Sequence, residues 1–214
     1  MAFLTRDRIS LFAGGLLAMG ISATAYLMMN GRPADAATIG EKAPAFEERD
    51  SKGQVLKLSD FAGKTVVLEW TNDGCPFVQK QYNSGNMQKT QDDAEKDGVV
   101  WISVISSRVG TQGYVSGAQA DKLTADRKAH PAHVILDADG SMGRAFGAQT
   151  TPHMFVISPD GKLAYQGAID SMATTDLADV PKATNYVAAA LKAVKEGKTP
   201  DPAVTKAYGC SVKY

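Results

Sequence analysis

The chain has 214 residues, of which 44% are hydrophobic and 21% are charged, enough to bury the core of one domain and little more. Lys+Arg and Asp+Glu each total 23, and no block of like charge interrupts this balance. Because nucleic-acid binding needs a basic face that displaces counterions from phosphates, the composition argues against nucleic acid as a partner.

The N-terminus predicts where the protein works. Arg6 and Arg8 precede an apolar run over residues 9–29, and Ala34-Asp35-Ala36 offers small residues at the spacing that a signal peptidase reads. The run is long for a signal peptide and near the lower limit for spanning a bilayer. Residues 1–36 are therefore predicted to be either a cleaved signal peptide or a retained membrane anchor. Both alternatives place the rest of the chain outside the cytoplasm, periplasmic or secreted, with a membrane as partner only if the segment is retained.

The first half of the exported part predicts a hairpin, two strands and one helix. A turn at residues 51–54 separates two short alternating stretches, which is typical of a β-hairpin. The β-branched run over 65–70 predicts a strand buried on both faces, preceded by one helical turn over 58–63. Apolar residues at helical intervals predict a single helix over 77–97, and residues 99–105 a second buried strand.

The second half predicts further strands and helices in alternation. They are a helix over 116–129, a strand over 133–137, a helical turn over 143–146, a strand over 153–157 with an antiparallel partner over 163–168, and a helix over 183–196. Strands alternating with helices, then a hairpin and a helix, predict one α/β domain over residues 37–197 with a central mixed sheet. Residues 198–214, which include Cys210, have little periodicity and are predicted to form a flexible tail.

Residues 70–77 carry the chemistry that the sequence indicates most clearly. They lead from a buried strand through a loop into a helix, and Pro76 is favourable at the first helical position. Cys75 is thereby placed at the positive end of the helix, where free backbone N–H groups favour the thiolate. The residues predict a reactive nucleophile; a buried inert cysteine and one half of a permanent disulfide remain the alternatives.

Several segments over residues 39–196 make the chain resemble the thioredoxin superfamily, in particular its AhpC/TSA or redoxin branch. They are Ala-Pro-Ala-Phe at 43–46, Leu-Ser-Asp-Phe-Ala-Gly-Lys at 58–64, Cys75-Pro76, and Thr151-Pro152 just before 155–157. The resemblance implies a thioredoxin-like fold, with an N-terminal hairpin and a C-terminal tail. It also implies a thiol-dependent oxidoreductase.

The resemblance implies two further site positions. Members of the superfamily carry a buried acid six residues before the nucleophilic cysteine, and Glu69 stands there; such an acid can exchange protons during disulfide chemistry. The family's cis-proline corresponds to Pro152, so Thr151 and Pro152 are expected to face Cys75 and seat the substrate. A Glu69 that points to solvent or pairs with a lysine, and an ordinary trans turn at Pro152, are the alternatives.

The chain departs from thioredoxin at the second cysteine. Val78 stands where thioredoxins have it, so Cys210 is the remaining thiol that can resolve a mixed disulfide on Cys75. In an oxidising compartment two cysteines permit one intramolecular pairing. A redox-cycling pair, a permanent structural disulfide and an unrelated Cys210 thiol all remain open.

The chain also departs from the peroxiredoxins. Asn72 stands where they need a Thr or Ser, and the position of the arginine that polarises the peroxide falls at Thr151-Pro152. An arginine from elsewhere in the chain, such as Arg108, Arg127 or Arg144, would have to replace it. The sequence therefore favours an extracytoplasmic thiol–disulfide oxidoreductase, with Cys75 as nucleophile and Cys210 as resolving thiol. A peroxide-reducing antioxidant and a non-catalytic binding domain with a structural Cys75–Cys210 disulfide are the alternatives.

No cofactor and no metal are predicted. The nearest metal-binding pattern is that of exported copper chaperones with this fold, but Gln79 stands where their second cysteine would be. His130 and His133 are predicted to lie at the surface or at a strand end, whereas His153 is expected near Cys75, where it would tune the thiolate. The expected partners are a protein or small-molecule disulfide or thiol and an unidentified electron donor.

Overall fold

The computed structural model describes Met1 and residues 37–214. The chain divides into two units, residues 1–34 and 35–214, and the second carries every element described below. The predicted signal peptide or anchor at 1–36 lies outside the described residues, apart from Met1. In the part of the chain that is described, no helix is both long enough and apolar enough to cross a membrane.

Nine strands and five helices form the described part of the chain. The strands are β1 (Glu47–Arg49), β2 (Val55–Lys57), β3 (Val66–Trp70), β4 (Val100–Ile105), β5 (His133–Leu136), β6 (Thr150–Thr151), β7 (His153–Ile157), β8 (Leu163–Gly167) and β9 (Cys210–Ser211). The helices are α1 (Pro76–Asn83), α2 (Asn86–Lys96), α3 (Gly117–Asp126), α4 (Ser141–Phe146) and α5 (Tyr186–Lys195). Two 3-10 turns cover Leu58–Phe61 and Leu177–Lys182.

The five-stranded central sheet has the order β5-β4-β3-β7-β8. Strands β3, β4 and β5 are parallel to one another, whereas β7 is antiparallel to both β3 and β8. The predicted mixed sheet is therefore confirmed, as is the hairpin, which β1 and β2 form. Strand β3 lies at the centre, so both of its faces are covered and all five of its residues are buried.

The two faces of the sheet have different cores, because successive side chains of β3 point in opposite directions. Leu68 and Trp70 face a cluster that includes Phe146 and Phe155, which we call the aromatic face. Val67 belongs to a second cluster that contains Cys75 and residues of α1, α2 and α5, which we call the thiol face. The reactive cysteine predicted from the sequence thus lies on one defined side of the sheet.

The structure corrects the prediction of a single helix over residues 77–97. Helix α1 ends at Asn83, and α2 begins at Asn86 after Gly85, whose φ of +77° is a backbone conformation that glycine adopts without steric penalty. The apolar spacing continues across this break, which is why the pattern predicted one helix. The break lets both helices place buried residues on the thiol face, among them Val78 and Met87.

The structure also differs from the expectation of a flexible tail. Strand β9 pairs with β6, Lys213 forms a parallel bridge with Ser107, and Val204 forms one with Gln166. These contacts lie on the central domain at widely separated sequence positions, so periodicity along the tail itself does not reveal them. The tail is therefore a docked part of the fold, with Cys210 in a defined place.

Candidate active site

Cys75 occupies the N-cap position of α1, with extended backbone angles of φ −88° and ψ 121° and with Pro76 as the first helical residue. The N–H of Gln79 donates to the Cys75 carbonyl at 2.9 Å and closes the first turn. The Cys75 side chain is fully buried. The local sequence therefore produces the strand–loop–helix placement that was predicted for this thiol, and the protein interior closes around it.

Three groups surround the sulfur of Cys75. Its thiol lies 3.0 Å from the Thr151 carbonyl oxygen, and it is within hydrogen-bonding reach of the Cys210 thiol and the Val78 N–H. Burial by itself raises the pKa of Cys75, but the hydrogen bond from the Cys210 thiol, followed by those from the Val78 N–H and the Thr151 hydroxyl, brings the pKa below its ordinary value. The donors around the sulfur therefore make the thiolate of Cys75 easier to form than that of an ordinary cysteine.

Cys210 behaves in the opposite way. Burial, and then the neighbouring Cys75 sulfur, raise the pKa of Cys210 to about 11, although the Lys213 ammonium opposes this. Cys210 is only partly buried, in contrast to Cys75. Of the two adjacent sulfurs, one is disposed to carry the negative charge and the other the proton. This is the arrangement that a nucleophile and a waiting second thiol require.

The peptide bond between Thr151 and Pro152 is cis, as predicted. Thr151 pairs with Cys210 in the β6–β9 ladder, so the backbone before the proline is occupied by the protein's own tail. A Cβ added to Gly209 would lie 1.9 Å from the Thr151 carbonyl oxygen, and the φ of Gly209 is +132°. Only glycine allows the tail to approach this closely, which brings Cys210 against Cys75.

Glu69 is fully buried, so the alternative that its side chain points to solvent is wrong. Its Oε1 accepts from the Tyr82 hydroxyl at 2.8 Å, and its Oε2 accepts from the Trp101 Nε1 at 2.9 Å and from the Ser103 hydroxyl and the Gln91 amide at 3.2 Å each. Burial and the neighbouring Glu69 carboxylate raise the pKa of Tyr82 well above its ordinary value. Within residues 37–214 no hydrogen bond joins Glu69 to either cysteine.

These donors were not identified from the sequence. Ser103 interrupts an otherwise apolar strand, and Gln91 is a polar residue on a helix face that points inward. A polar residue at a position that the strand pattern buries requires a hydrogen-bond partner, so the sequence indicates that Ser103 has one. The pattern does not identify Glu69 as that partner.

Asn72 and two of the three candidate arginines contact groups other than Cys75. Asn72 accepts from the Gly74 N–H at 3.0 Å and donates to Gln112 at 2.9 Å. The Arg127 guanidinium lies 4.1 Å from the centre of the Tyr82 ring, and that of Arg144 lies over another aromatic ring in the tail. Among the residues described, none of these side chains makes a hydrogen bond with Cys75.

The histidines are also placed away from Cys75. His153 belongs to the aromatic face, where its ring lies 4.5 Å from that of Phe155, and burial lowers its pKa to about 4. The expectation that His153 tunes Cys75 is therefore wrong. His153 and Phe155 are two positions apart on β7 and point to the same face of the sheet, whereas Cys75 lies on the other face. His130 pairs with Asp92, and His133 pairs with Asp50 at 3.2 Å. No group of three metal-binding side chains occurs among residues 37–214.

Comparison with known proteins gives a family for the chain and a relative of known name. The family model described as Redoxin matches residues 38–187. The thiol-disulfide oxidoreductase ResA of Bacillus subtilis (strain 168) is 26% identical over 158 residues, which cover 70% of this chain and 79% of that relative.

Two solved structures resemble the chain over most of its length. A hypothetical protein from Sinorhizobium meliloti 1021 has a TM-score of 0.69 and 22% identity, with 84% of this chain and 96% of that chain covered. An uncharacterized conserved protein from Geobacillus kaustophilus has a TM-score of 0.67 and 22% identity, with coverages of 84% and 94%. At this level of identity both show the fold.

Proposed function

The chain belongs to the redoxin family and has a thioredoxin-like fold, and from that premise we propose that it is an extracytoplasmic thiol–disulfide oxidoreductase with Cys75 as nucleophile and Cys210 as resolving thiol. The proposal rests on the contact between the Cys75 and Cys210 thiols beside the Thr151–Pro152 peptide. The export rests on Arg6, Arg8 and the apolar run that follows them. The similarity to ResA supports the reaction class.

In the first step the Cys75 thiolate attacks one sulfur of a substrate disulfide. A new bond joins the Cys75 sulfur to that sulfur, the substrate disulfide breaks, and its other half leaves as a thiolate. The lowered pKa of Cys75 raises the fraction of attacking thiolate above that of an ordinary cysteine at the same pH. Because Cys75 is fully buried beneath β9, the tail has to move aside before a substrate disulfide reaches the sulfur.

In the second step Cys210 releases its proton and attacks the Cys75 sulfur of the mixed disulfide. The Cys75–Cys210 bond forms, and the remaining part of the substrate leaves as a thiolate, so the substrate gains two electrons and the protein loses two. An external dithiol or two thiols then restore the reduced pair. The raised pKa of Cys210 keeps it protonated and unreactive until Cys75 has been modified.

The other three predicted site residues have supporting roles in this proposal. Thr151 and Pro152 form the edge against which an extended substrate would lie, which the tail occupies in the reduced protein. Glu69 lies on a strand next to the site and would carry the proton released by Cys210. Since at least four donors hold its carboxylate, this transfer would require one of those contacts to open.

The proposal is tested with the full-length chain and a model disulfide. Cys75→Ser should abolish reduction of the disulfide, because no other thiol has a lowered pKa among the described residues. Cys210→Ser should retain the first step and accumulate a mixed disulfide on Cys75, detected by the mass of the intact protein. Quantitative alkylation across a redox titration should show both thiols of the wild type protected together in the oxidised form.

The same variants separate the alternatives. Turnover by Cys75→Ser equal to that of the wild type would refute the proposal. Oxidation of Cys75 by hydrogen peroxide much faster than that of a free thiol would assign the protein to peroxide reduction instead. A Cys75–Cys210 reduction potential far below that of the compartment would indicate a structural disulfide.

A further inference from the structure

A buried polar cluster holds the tail two residues before Cys210. The Tyr208 hydroxyl donates to the Asp170 carboxylate, and the Tyr208 ring packs edge-on against Phe77 with 5.7 Å between ring centres. The Lys80 ammonium lies 6.0 Å from the centre of the same ring. We call these four side chains the Tyr208 anchor. Two of its members belong to α1, the helix that begins at Cys75.

The charges of the anchor are fully enclosed. The side chains of Lys80 and Asp170 are 0% and 1% exposed, with 3.7 Å between Nζ and Oδ2. Lys80 also donates to the Met172 carbonyl at 2.7 Å, and Asp170 accepts from the Gln81 amide at 2.7 Å. A buried ion pair is expensive to form unless further hydrogen bonds satisfy it, and the Tyr208 hydroxyl supplies one of those bonds. The Met172 N–H also donates to Asp170, at 2.9 Å, so the docked tail adds one hydrogen bond to a carboxylate that the rest of the fold already holds.

The anchor is linked to the sulfur of Cys210 through a short stretch of backbone. Gly209 alone separates the two residues and lies against the Thr151 carbonyl, and Cys210 then pairs with Thr151. A chain fixed at Tyr208 and paired at Cys210 has little freedom left between these two points. The segment from Tyr208 to Cys210 and the start of α1 are thus held together at both the aromatic ring and the sulfur.

We propose that Tyr208 is a positioning residue for the resolving thiol: its bond to Asp170 and its packing against α1 keep Cys210 at Cys75 in the reduced protein. The inference rests on the two-thiol function proposed above and adds what sets the equilibrium between the free thiols and the Cys75–Cys210 disulfide. An anchored Cys210 presents a high effective concentration of thiol to Cys75. A free tail would spread the same thiol over a much larger volume.

The experiment measures that effective concentration with the full-length chain in glutathione buffers. Each glutathione disulfide takes two electrons and two protons from Cys75 and Cys210, which yields one intramolecular disulfide and two molecules of glutathione. Tyr208→Phe should lower the equilibrium constant about tenfold, because a buried hydrogen bond to a charged acceptor is lost. Tyr208→Ala, which removes the ring as well, should lower it about a hundredfold.

Tyr214→Phe is the matched control. It removes a tyrosine hydroxyl from the same tail, one that donates to the Ala148 carbonyl at 2.7 Å beyond β9, and it should change the equilibrium by less than about twofold. An unchanged equilibrium in Tyr208→Phe and Tyr208→Ala, with a wild type that still forms the disulfide, would overturn the inference and leave the proposed function standing. A wild type that forms no such disulfide would instead refute the proposed function. A purely structural Tyr208 would lower the thermal midpoints of reduced and oxidised protein alike without changing the equilibrium.

Discussion

The two faces of the central sheet are equally buried, but they are filled by different chemistry. On the aromatic face, the ring centres of Trp70 and Phe146 lie 5.6 Å apart and Phe155 packs against both rings, with one buried hydrogen bond from the Trp70 Nε1 to the Ser106 hydroxyl at 2.9 Å. On the thiol face, Glu69 and the Lys80–Asp170 pair are enclosed with their hydrogen-bond partners. One strand, β3, supplies residues to both sides.

The fold thereby separates the side chains that set stability from those that set reactivity. An apolar cluster is non-directional and depends on the volume that it fills. A buried polar network depends on specific partners, and removing one partner leaves the others unsatisfied. We therefore expect substitutions on the aromatic face to change the free energy of unfolding alone. Substitutions on the thiol face should change the behaviour of the thiols as well.

Phe155→Ala should give the largest loss of stability. The ring is fully buried and contacts Trp70 and Phe146, so its removal leaves a cavity and should lower the free energy of unfolding by about 3–5 kcal/mol. Denaturant unfolding measures this loss. The pH profile of Cys75 alkylation should stay that of the wild type. Phe155→Leu is the control and should lose less, and an altered alkylation profile in either variant would contradict the separation of the two faces.

His153 should give the aromatic face its pH dependence. Burial lowers its pKa from 6.5 to about 4 in the folded protein, so between these values the unfolded chain binds the proton and the folded chain does not. Stability is therefore fully present above about pH 6.5 and is lost as the pH falls towards 4, by about 3 kcal/mol in total.

The matched variant for this prediction is His153→Gln, which cannot titrate in this range. The difference in unfolding free energy between wild type and variant, measured by denaturant from pH 7.5 to 4, isolates the histidine from the carboxylates that titrate nearby. Parallel curves would show that His153 is charged equally in both states. The Cys75 alkylation rate should again be the same in both proteins, since the ring lies on the aromatic face.

The aromatic face could be predicted from the sequence to a greater extent than the thiol face. The apolar runs that contain Leu68 and Phe155 predict buried strands, and their pairing in a mixed sheet follows from the order of strands and helices. The place of Cys75 at a helix start also follows from local sequence, because Pro76 favours the first helical position.

The partners on the thiol face could not be predicted in the same way. Lys80 and Asp170 are 90 positions apart, and a lysine in a polar helix is normally solvated. The docking of Tyr208 and Cys210 depends on contacts with residues far away in the chain, which periodicity does not encode. The wrong expectation for His153 has a similar cause, because its position next to Pro152 does not show the face of the sheet to which its ring turns.

Glu69→Gln should give the smallest change in stability and the clearest change in chemistry. The amide keeps the shape of the side chain, and its NH₂ group can donate to the Tyr82 hydroxyl oxygen, so the loss should be about 2 kcal/mol, as for an imperfectly satisfied buried group. An amide, however, cannot take up a proton. If Glu69 carries the proton from Cys210, Glu69→Gln should slow the second step at least about tenfold while the Cys75–Cys210 equilibrium changes little.

Tyr82→Phe removes one donor and keeps the carboxylate, so it should lose similar stability without that slowing. Equal rates in Glu69→Gln and Tyr82→Phe would leave Glu69 as a structural acceptor and would remove the proton transfer from the mechanism.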